Sequence, residues 1–354
     1  LPPMDKAAAA RVLLTLTVAA GGAGAAVWAG MPAPALLGST VAVTLAALAR
    51  LPVRMPVALR NGAFAVIGCS LGTGVTPDFL SDAARWPVSL AVLCAVIVLT
   101  MVLSGRILER GFGQSRDTAI LATSPGALSY ALAISSAGVG DARAVMVLQS
   151  LRLLAMTLVL PSILGLLGGA GGAVWGSHHP TVMAYPVAIL MLAAALAGGW
   201  GLDRLKAPAA FLLAGIAISG GLHGLGVVAG QFPPAFLMAG FTVTGAVIGT
   251  RFRALELREL ARLALAALLT ISLALTISAS LALLVAWGLA MPFGQVWVAY
   301  APGGVEAMAA MALSLGYDPT YVATHHVFRI VSLILVLPVV LRVFGSGRGR
   351  AEDA

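Results

Sequence analysis

Apolar positions in this chain run in long blocks, and polar residues fall between the blocks instead of alternating within them. Twelve blocks stand out. They lie near 8–31, 34–49, 57–76, 86–105, 117–138 and 143–167 in the first half, and near 181–202, 208–222, 232–250, 263–290, 295–316 and 320–341 in the second. All are of helix length and rich in Ala, Leu and Val, and none has the period of two that a half-buried strand requires. The pattern predicts six apolar helical segments per half. The fifth segment of each half carries an interruption at its middle, Pro125-Gly126 in the first and Pro302-Gly303-Gly304 in the second. Proline lacks the backbone N–H and crowds the preceding turn, so a Pro-Gly pair breaks a helix there.

One segment is written twice. At an offset of 177 positions, half of the 354 residues, Ser124-Pro125-Gly126-Ala127 returns as Ala301-Pro302-Gly303-Gly304. At the same offset Asp141, Arg152 and Pro161 fall on Asp318, Arg329 and Pro338, and Phe64, Gly68, Gly72 and Thr73 fall on Phe241, Gly245, Gly249 and Thr250. An internal repeat governs the architecture, and the expected domains are two membrane repeats, 1–177 and 178–354.

Composition sets the environment. The chain is 60% hydrophobic and 10% charged, with a mean hydropathy of +1.01, whereas soluble domains carry about 25% charged residues. At roughly 20 apolar residues per crossing, an all-α polytopic membrane protein is expected, with no hydrophilic stretch long enough for a soluble domain. The first block, preceded by Lys6 and Arg11, runs to Met31 and is too long for a cleavable signal core. The two cysteines, Cys69 and Cys94, both sit in apolar blocks and predict neither a disulfide framework nor a thiolate metal site.

The net charge of +8 would raise nucleic acid as a partner in a soluble chain; here membrane topology accounts for it. Two arrangements compete. In one, all twelve segments cross and the halves are parallel. In the other, each fifth segment is a re-entrant Pro-Gly hairpin, each half crosses five times, and the repeats are inverted. Lys and Arg near span ends stay cytoplasmic. With the N-terminus inside, the parallel arrangement sends Arg85, Arg143, Arg204, Lys206, Arg251, Arg253, Arg258 and Arg262 outside, and the inverted one sends only Arg85. The inverted arrangement, with both termini cytoplasmic, is the expectation.

Free backbone groups at membrane depth are tolerated only where they line protein or a cavity. Each hairpin arm of about ten residues spans roughly 15 Å and reaches the midplane of a core about 30 Å thick. Two tips meeting there would offer N–H donors to an anion. Ser124, Pro125, Gly126, Pro302, Gly303 and Gly304 form the expected tips, and Ser129 and Glu306 lie four residues past the two prolines. Glu306 is the acid placed deep in an apolar block, a functional candidate by default. Arg152 and Arg329 each lie 27 residues after their proline and can hold a carboxylate or phosphate bidentately; the plainer alternatives are an ion pair of Arg329 with Glu306 and bonds of Arg152 to backbone carbonyls or Asp141. Gln149 and His326 correspond one turn earlier, and His326, with Glu306, is a coupling candidate for H+ or Na+. Asp141 and Asp318 are expected helix N-caps, and the Gly-x-x-x-Gly pairs in the third segments close packing sites. His178, His179 and His223 fall in expected outer loops, where no metal site is expected.

At the segments Thr123-Ser-Pro-Gly-Ala-Leu-Ser129 with Gln149-Ser-Leu-Arg152, and Ala301-Pro-Gly-Gly-Val-Glu306 with His325-His-Val-Phe-Arg329, the chain resembles the AbrB-type membrane proteins, the AbrB duplication family. The resemblance covers nearly the whole chain. It implies two copies of one hydrophobic domain in a bacterial inner membrane, and it assigns no substrate. Members carry the labels AbrB family protein, regulator of gene expression and ammonia monooxygenase; an unrelated small DNA-binding regulator shares the name. Three functions follow as expectations. The first is a secondary transporter of a small anionic solute, without cofactor and, by analogy with hairpin carriers, a homodimer. The second is a membrane regulator of gene expression, acting directly or through solute levels. The least expected is an oxygenase, because copper needs convergent imidazoles or carboxylates and the adjacent His325 and His326 point about 100° apart on a helix.

Overall fold

The computed structural model describes residues 6–31, 33–74, 86–126, 128–167, 181–207 and 209–345. Arg85, His178, His179, Arg348 and Arg350 lie outside them, as do the side chains of Ser129 and Glu306. Among the described residues the chain is nearly all helix, and the sole extended pairing is an isolated bridge between Val182 and Gln231. In the first half the helices are α1 (Lys6–Trp28), α2 (Pro34–Leu48), α3 (Val57–Gly72), α4 (86–112), α5 (Arg116–Thr123), α6 (Leu128–Ser136) and α7 (Ala142–Leu166). In the second they are α8 (Tyr185–Arg204), α9 (Ala210–Gly224), α10 (Pro234–Thr250), α11 (Leu257–Leu289), α12 (Phe293–Tyr300), α13 (Val305–Leu315) and α14 (Pro319–Phe344). Among the described residues, seven helical stretches are long and apolar enough to cross a membrane: Lys6–Trp28, Trp86–Phe112, Ala142–Leu166, Tyr185–Arg204, Pro234–Ala254, Leu257–Leu289 and Thr320–Phe344. Large apolar side chains such as Leu190, Leu268, Leu284 and Trp287 stand exposed on them, a surface suited to lipid and foreign to water.

Most boundaries follow the apolar blocks, with two informative departures. The block expected at 263–290 begins at Leu257, because Glu256 and Glu259 form a capping box that carries the helix through a charged first turn. The block expected at 86–105 continues to Phe112 and contains a π-helical stretch, Thr100–Ser104. Asp141 accepts from Arg143 N at 2.8 Å, and Asp318 from Thr320 N at 2.9 Å, the N-cap roles expected of them. His223 departs from its expected loop: it closes α9, is buried, and bonds the carbonyls of Ser219 (2.8 Å) and Gly230 (3.1 Å). The Ser219 hydroxyl also lies 3.4 Å from Nδ1, so the buried ring keeps polar neighbours at both nitrogens.

The chain divides into two compact units, and both halves of the sequence contribute to each. Unit 1 comprises Leu1–Ala83, Thr157–Ala254 and Val305–Ala323. Here α3 packs on α9, and α10 on α2. Small residues allow that closeness: a Cβ at Gly68 would collide with the Leu212 carbonyl, and one at Gly245 with the Leu36 carbonyl. An apolar core of Ala65, Val66, Cys69, Met183, Met191 and Phe232 fills the space between α3 and α8. Unit 2 comprises Ala84–Met156, Leu255–Gly304 and Thr324–Ala354. Its interior is more polar. Trp297 Nε1 donates to Ser278 Oγ at 3.1 Å, Tyr300 OH donates to the Ser89 carbonyl at 2.7 Å, and His325 Nε2 meets Ser89 Oγ at 2.8 Å. Both helix interruptions lie in this unit.

Candidate functional site

Ser115 starts α5 by accepting from Thr118 N at 3.2 Å, and eight residues later the helix stops. Ser124 is extended, Pro125 has no N–H to donate, and Gly126 adopts φ +85°, a conformation that glycine takes at no steric cost. The chain then resumes as α6. After α12, Ala301 is extended in the same way (φ −57°, ψ 135°), and Gly303 and Gly304 lead into α13. A helix that ends leaves its last four carbonyls without partners. Where they are buried, they must find donors inside the protein.

Two arginines supply them. From α7, Arg152 donates through Nη2 to the Ser124 carbonyl at 2.8 Å and through Nη1 to the Ala122 carbonyl at 3.3 Å. From α14, Arg329 donates through Nη1 to the Ala301 carbonyl at 2.7 Å and through Nη2 to the Gly303 carbonyl. Each arginine has a helper one turn earlier. Gln149 Nε2 donates to the Leu121 carbonyl at 2.8 Å, while its Oε1 accepts from Arg152 Nη2 at 3.4 Å. His326 Nε2 bonds the Val298 carbonyl at 2.9 Å, and its Nδ1 meets Arg329 Nη2. A guanidinium only donates, so Nδ1 accepts, Nε2 carries the proton, and the imidazole is neutral.

The electrostatics are unusual. Arg152 is 7% exposed and Arg329 1%. Glu109 pairs with Arg116, and Glu256 and Glu259 with Arg143, all at exposed or half-exposed positions. The two buried cations are held by carbonyl dipoles and repel each other. Arg329 Nε is buried with no hydrogen-bond partner. It faces the other interruption, since a Cβ at Gly126 would lie 3.0 Å from both Nε and Nη2 of Arg329. A bound oxyanion would satisfy the orphaned N–H and relieve the repulsion.

Of the residues expected at the site, Ser124, Pro125, Gly126, Arg152, Pro302, Gly303, Gly304, His326 and Arg329 all belong to unit 2, and the contacts above join Ser124 to Arg152 and both Gly126 and Gly303 to Arg329. Ser129 and Glu306 occupy the first turns of α6 and α13, with side chains outside the described residues. A set of hydroxyls was not anticipated. Thr100, Ser104, Thr123 and Thr270 line a small cavity together with Arg152. Hydroxyls within apolar blocks were visible in the sequence, but only the fold assembles them.

Residues 35–345 match the family described as "Transition state regulatory protein AbrB". The chain is similar to "Putative regulator AbrB" of Escherichia coli (strain K12), with 26% identity over 325 residues, 89% of this chain and 91% of the relative. It is also similar to "Uncharacterized protein YhjN" of Bacillus subtilis (strain 168), with 25% identity over 311 residues, 81% of this chain and 79% of the relative.

Proposed function

The chain belongs to the AbrB family, and on that premise we propose that it is a secondary transporter, embedded in the cytoplasmic membrane, that carries a small anion past the two Pro-Gly interruptions. The observation that carries the proposal is the pair of buried guanidinium groups, uncompensated by any described carboxylate, one of which has an unpartnered Nε–H turned toward the opposite interruption.

We read the architecture as two inverted repeats, each of five crossings and one Pro-Gly hairpin. Three observations support this. Helices α5 and α12 begin at Arg116 and Phe293 and end at Thr123 and Tyr300, both 177 positions apart, and the helices that follow begin at Leu128 and Val305. The contacts of α3 with α9 and of α10 with α2 exchange partners between the halves, as a pseudo-two-fold relation requires. Asp141 N donates to Thr118 Oγ1 at 2.8 Å, a contact between the segments before and after the first interruption that a hairpin would make. Inverted repeats with broken helices are the architecture of many carriers with a midplane site.

In this reading Arg152 and Arg329 hold the anion, the interruptions carrying Ser124–Gly126 and Pro302–Gly304 frame it, and Glu306, in the first turn after the second interruption, exchanges the coupling H+ or Na+. The test is uptake into proteoliposomes of labelled mono- and dicarboxylates, phosphate and sulfate, with and without imposed pH and sodium gradients. Gradient-driven accumulation of one of them, lost in Arg329→Ala, is expected. Equal uptake by that variant would remove the arginines from the site. The family description favours a second reading, an effect on gene expression. A regulatory phenotype retained by a correctly inserted, transport-dead variant would favour direct signalling over altered solute levels.

A further inference from the structure

We propose that Thr100, Ser104, Thr123 and Thr270 form, beside Arg152, the inner end of an oxyanion path that opens at the arginine cluster Arg106, Arg110 and Arg116; the proposal rests on the transporter reading above. All these residues belong to unit 2.

The path begins with the π-helical stretch Thr100–Ser104 within α4. A π turn shifts the hydrogen-bond ladder by one residue, and such turns concentrate at functional sites. Here it brings Thr100 and Ser104 into a cavity of about 10 Å³ with Thr123, Thr270 and Arg152. Thr100 is 2% exposed, and its buried hydroxyl has no hydrogen-bond partner. A buried hydroxyl without a partner keeps its desolvation penalty, which a bound oxygen removes. Thr123 Oγ1 donates to the carbonyls of Ala119 at 2.8 Å and Met101 at 3.2 Å.

Met101 and Ala119 belong in turn to a wider cavity of about 190 Å³, also lined by Arg106, Glu109, Arg110 and Arg116. The two cavities are lined by different residues of the same helices, α4 and α5, and the Thr123 hydroxyl, which lines the inner one, is bonded to two residues that line the outer one; the proposed path joins them there. Three arginines against one glutamate leave two positive charges at the wide end. Charge of one sign at the mouth of a low-dielectric cleft raises the local concentration of the opposite ion. Hydroxyls can donate to a partly dehydrated oxyanion, and Arg152 stands at the end as the fixed cation.

The test uses the full-length protein with Cys69→Ala and Cys94→Ala, in inside-out and right-side-out membrane vesicles. Thr100→Cys and Ser104→Cys are introduced singly, with Arg110→Cys as an exposed control. Labelling is followed with the anionic reagent sulfonatoethyl methanethiosulfonate and its trimethylammonium analogue, each normalised to a free thiol. The proposal expects both deep cysteines to react in inside-out vesicles, with the anionic reagent favoured about tenfold, and that preference to collapse toward one when Arg106→Gln and Arg116→Gln are added. Any of three results would overturn it: no labelling of either deep cysteine while Arg110→Cys reacts, equal or reversed charge preference, or labelling only in right-side-out vesicles. Using two deep positions guards against a single variant that fails to insert. Loss of labelling with solute uptake intact removes the path alone; intact labelling with no uptake of any solute removes the transporter reading.

Discussion

Arg152 and Arg329 each close the open end of an interrupted helix with two carbonyl bonds and lean on a helper one turn earlier, but their surroundings differ. Beside Arg152 the helper is the amide of Gln149; beside Arg329 it is the neutral imidazole of His326. Arg152 borders a hydroxyl-lined cavity. Arg329 is sealed, its Nε unpartnered against Gly126. The carbonyl bonds are common to both and supply the scaffold that keeps each interruption in place. What differs is what each guanidinium can still offer a ligand: an approach route at Arg152, an unused donor at Arg329.

The largest expected effect is at the sealed side. Arg329→Ala strips the donors from the Ala301 and Gly303 carbonyls, each worth about 1–3 kcal/mol when left unpaired in the interior. Anion transport is lost and thermal stability falls. Arg329→Lys recovers little, because an ammonium cannot reproduce the planar fork. Paired uptake and unfolding measurements check both statements; transport within twofold of wild type in either variant contradicts them.

Arg152→Ala comes next. Gln149 still holds the Leu121 carbonyl, so the stability loss is smaller than for Arg329→Ala although transport still falls. A larger loss of stability at Arg152 would reverse the comparison. Gly126→Ala follows. It introduces a Cβ 3.0 Å from the Arg329 guanidinium on a backbone at φ +85°, a strain of about 1–2 kcal/mol. Weakened anion affinity with the protein still folded is expected, read as a rise in the half-saturating concentration.

The smallest effect is the sharpest. Since His326 works as a neutral donor and acceptor, as Gln149 does, His326→Gln should retain transport with an unchanged pH profile, whereas His326→Leu should lose it. The described groups facing this imidazole are Arg329, the Val298 carbonyl and His325. A shifted pH profile in His326→Gln would restore the histidine as the proton carrier.

Much of this was legible in the sequence because it rests on strong local signals. Pro125 and Pro302 forbid a continuous helix whatever surrounds them, and the register that joins Arg152 to Arg329 is a matter of counting. The plainer expectation for Arg152, bonds to backbone carbonyls, is what the fold contains. Other features have no such mark. The π stretch at Thr100–Ser104 is a one-residue slip of the hydrogen-bond ladder with no compositional signature. The start of α11 at Leu257 depends on a reciprocal cap between Glu256 and Glu259, which an apolar count passes over. His223 read as a loop residue because the apolar run thins before it, yet the fold buries it among the Ser219 and Gly230 carbonyls and the Ser219 hydroxyl. Gln149 and His326 correspond in register, but that each donates to a carbonyl and accepts from its arginine appears only from their bonded partners in the fold.

The most direct measurement is the thermal stabilisation of purified protein by acetate, succinate, phosphate and sulfate, compared between wild type and Arg329→Ala. A ligand that binds the folded state raises its melting temperature. The account predicts that at least one of these anions stabilises the wild type and leaves Arg329→Ala unshifted at the same concentration. An equal shift in both proteins, or none from any anion in the wild type, would contradict it.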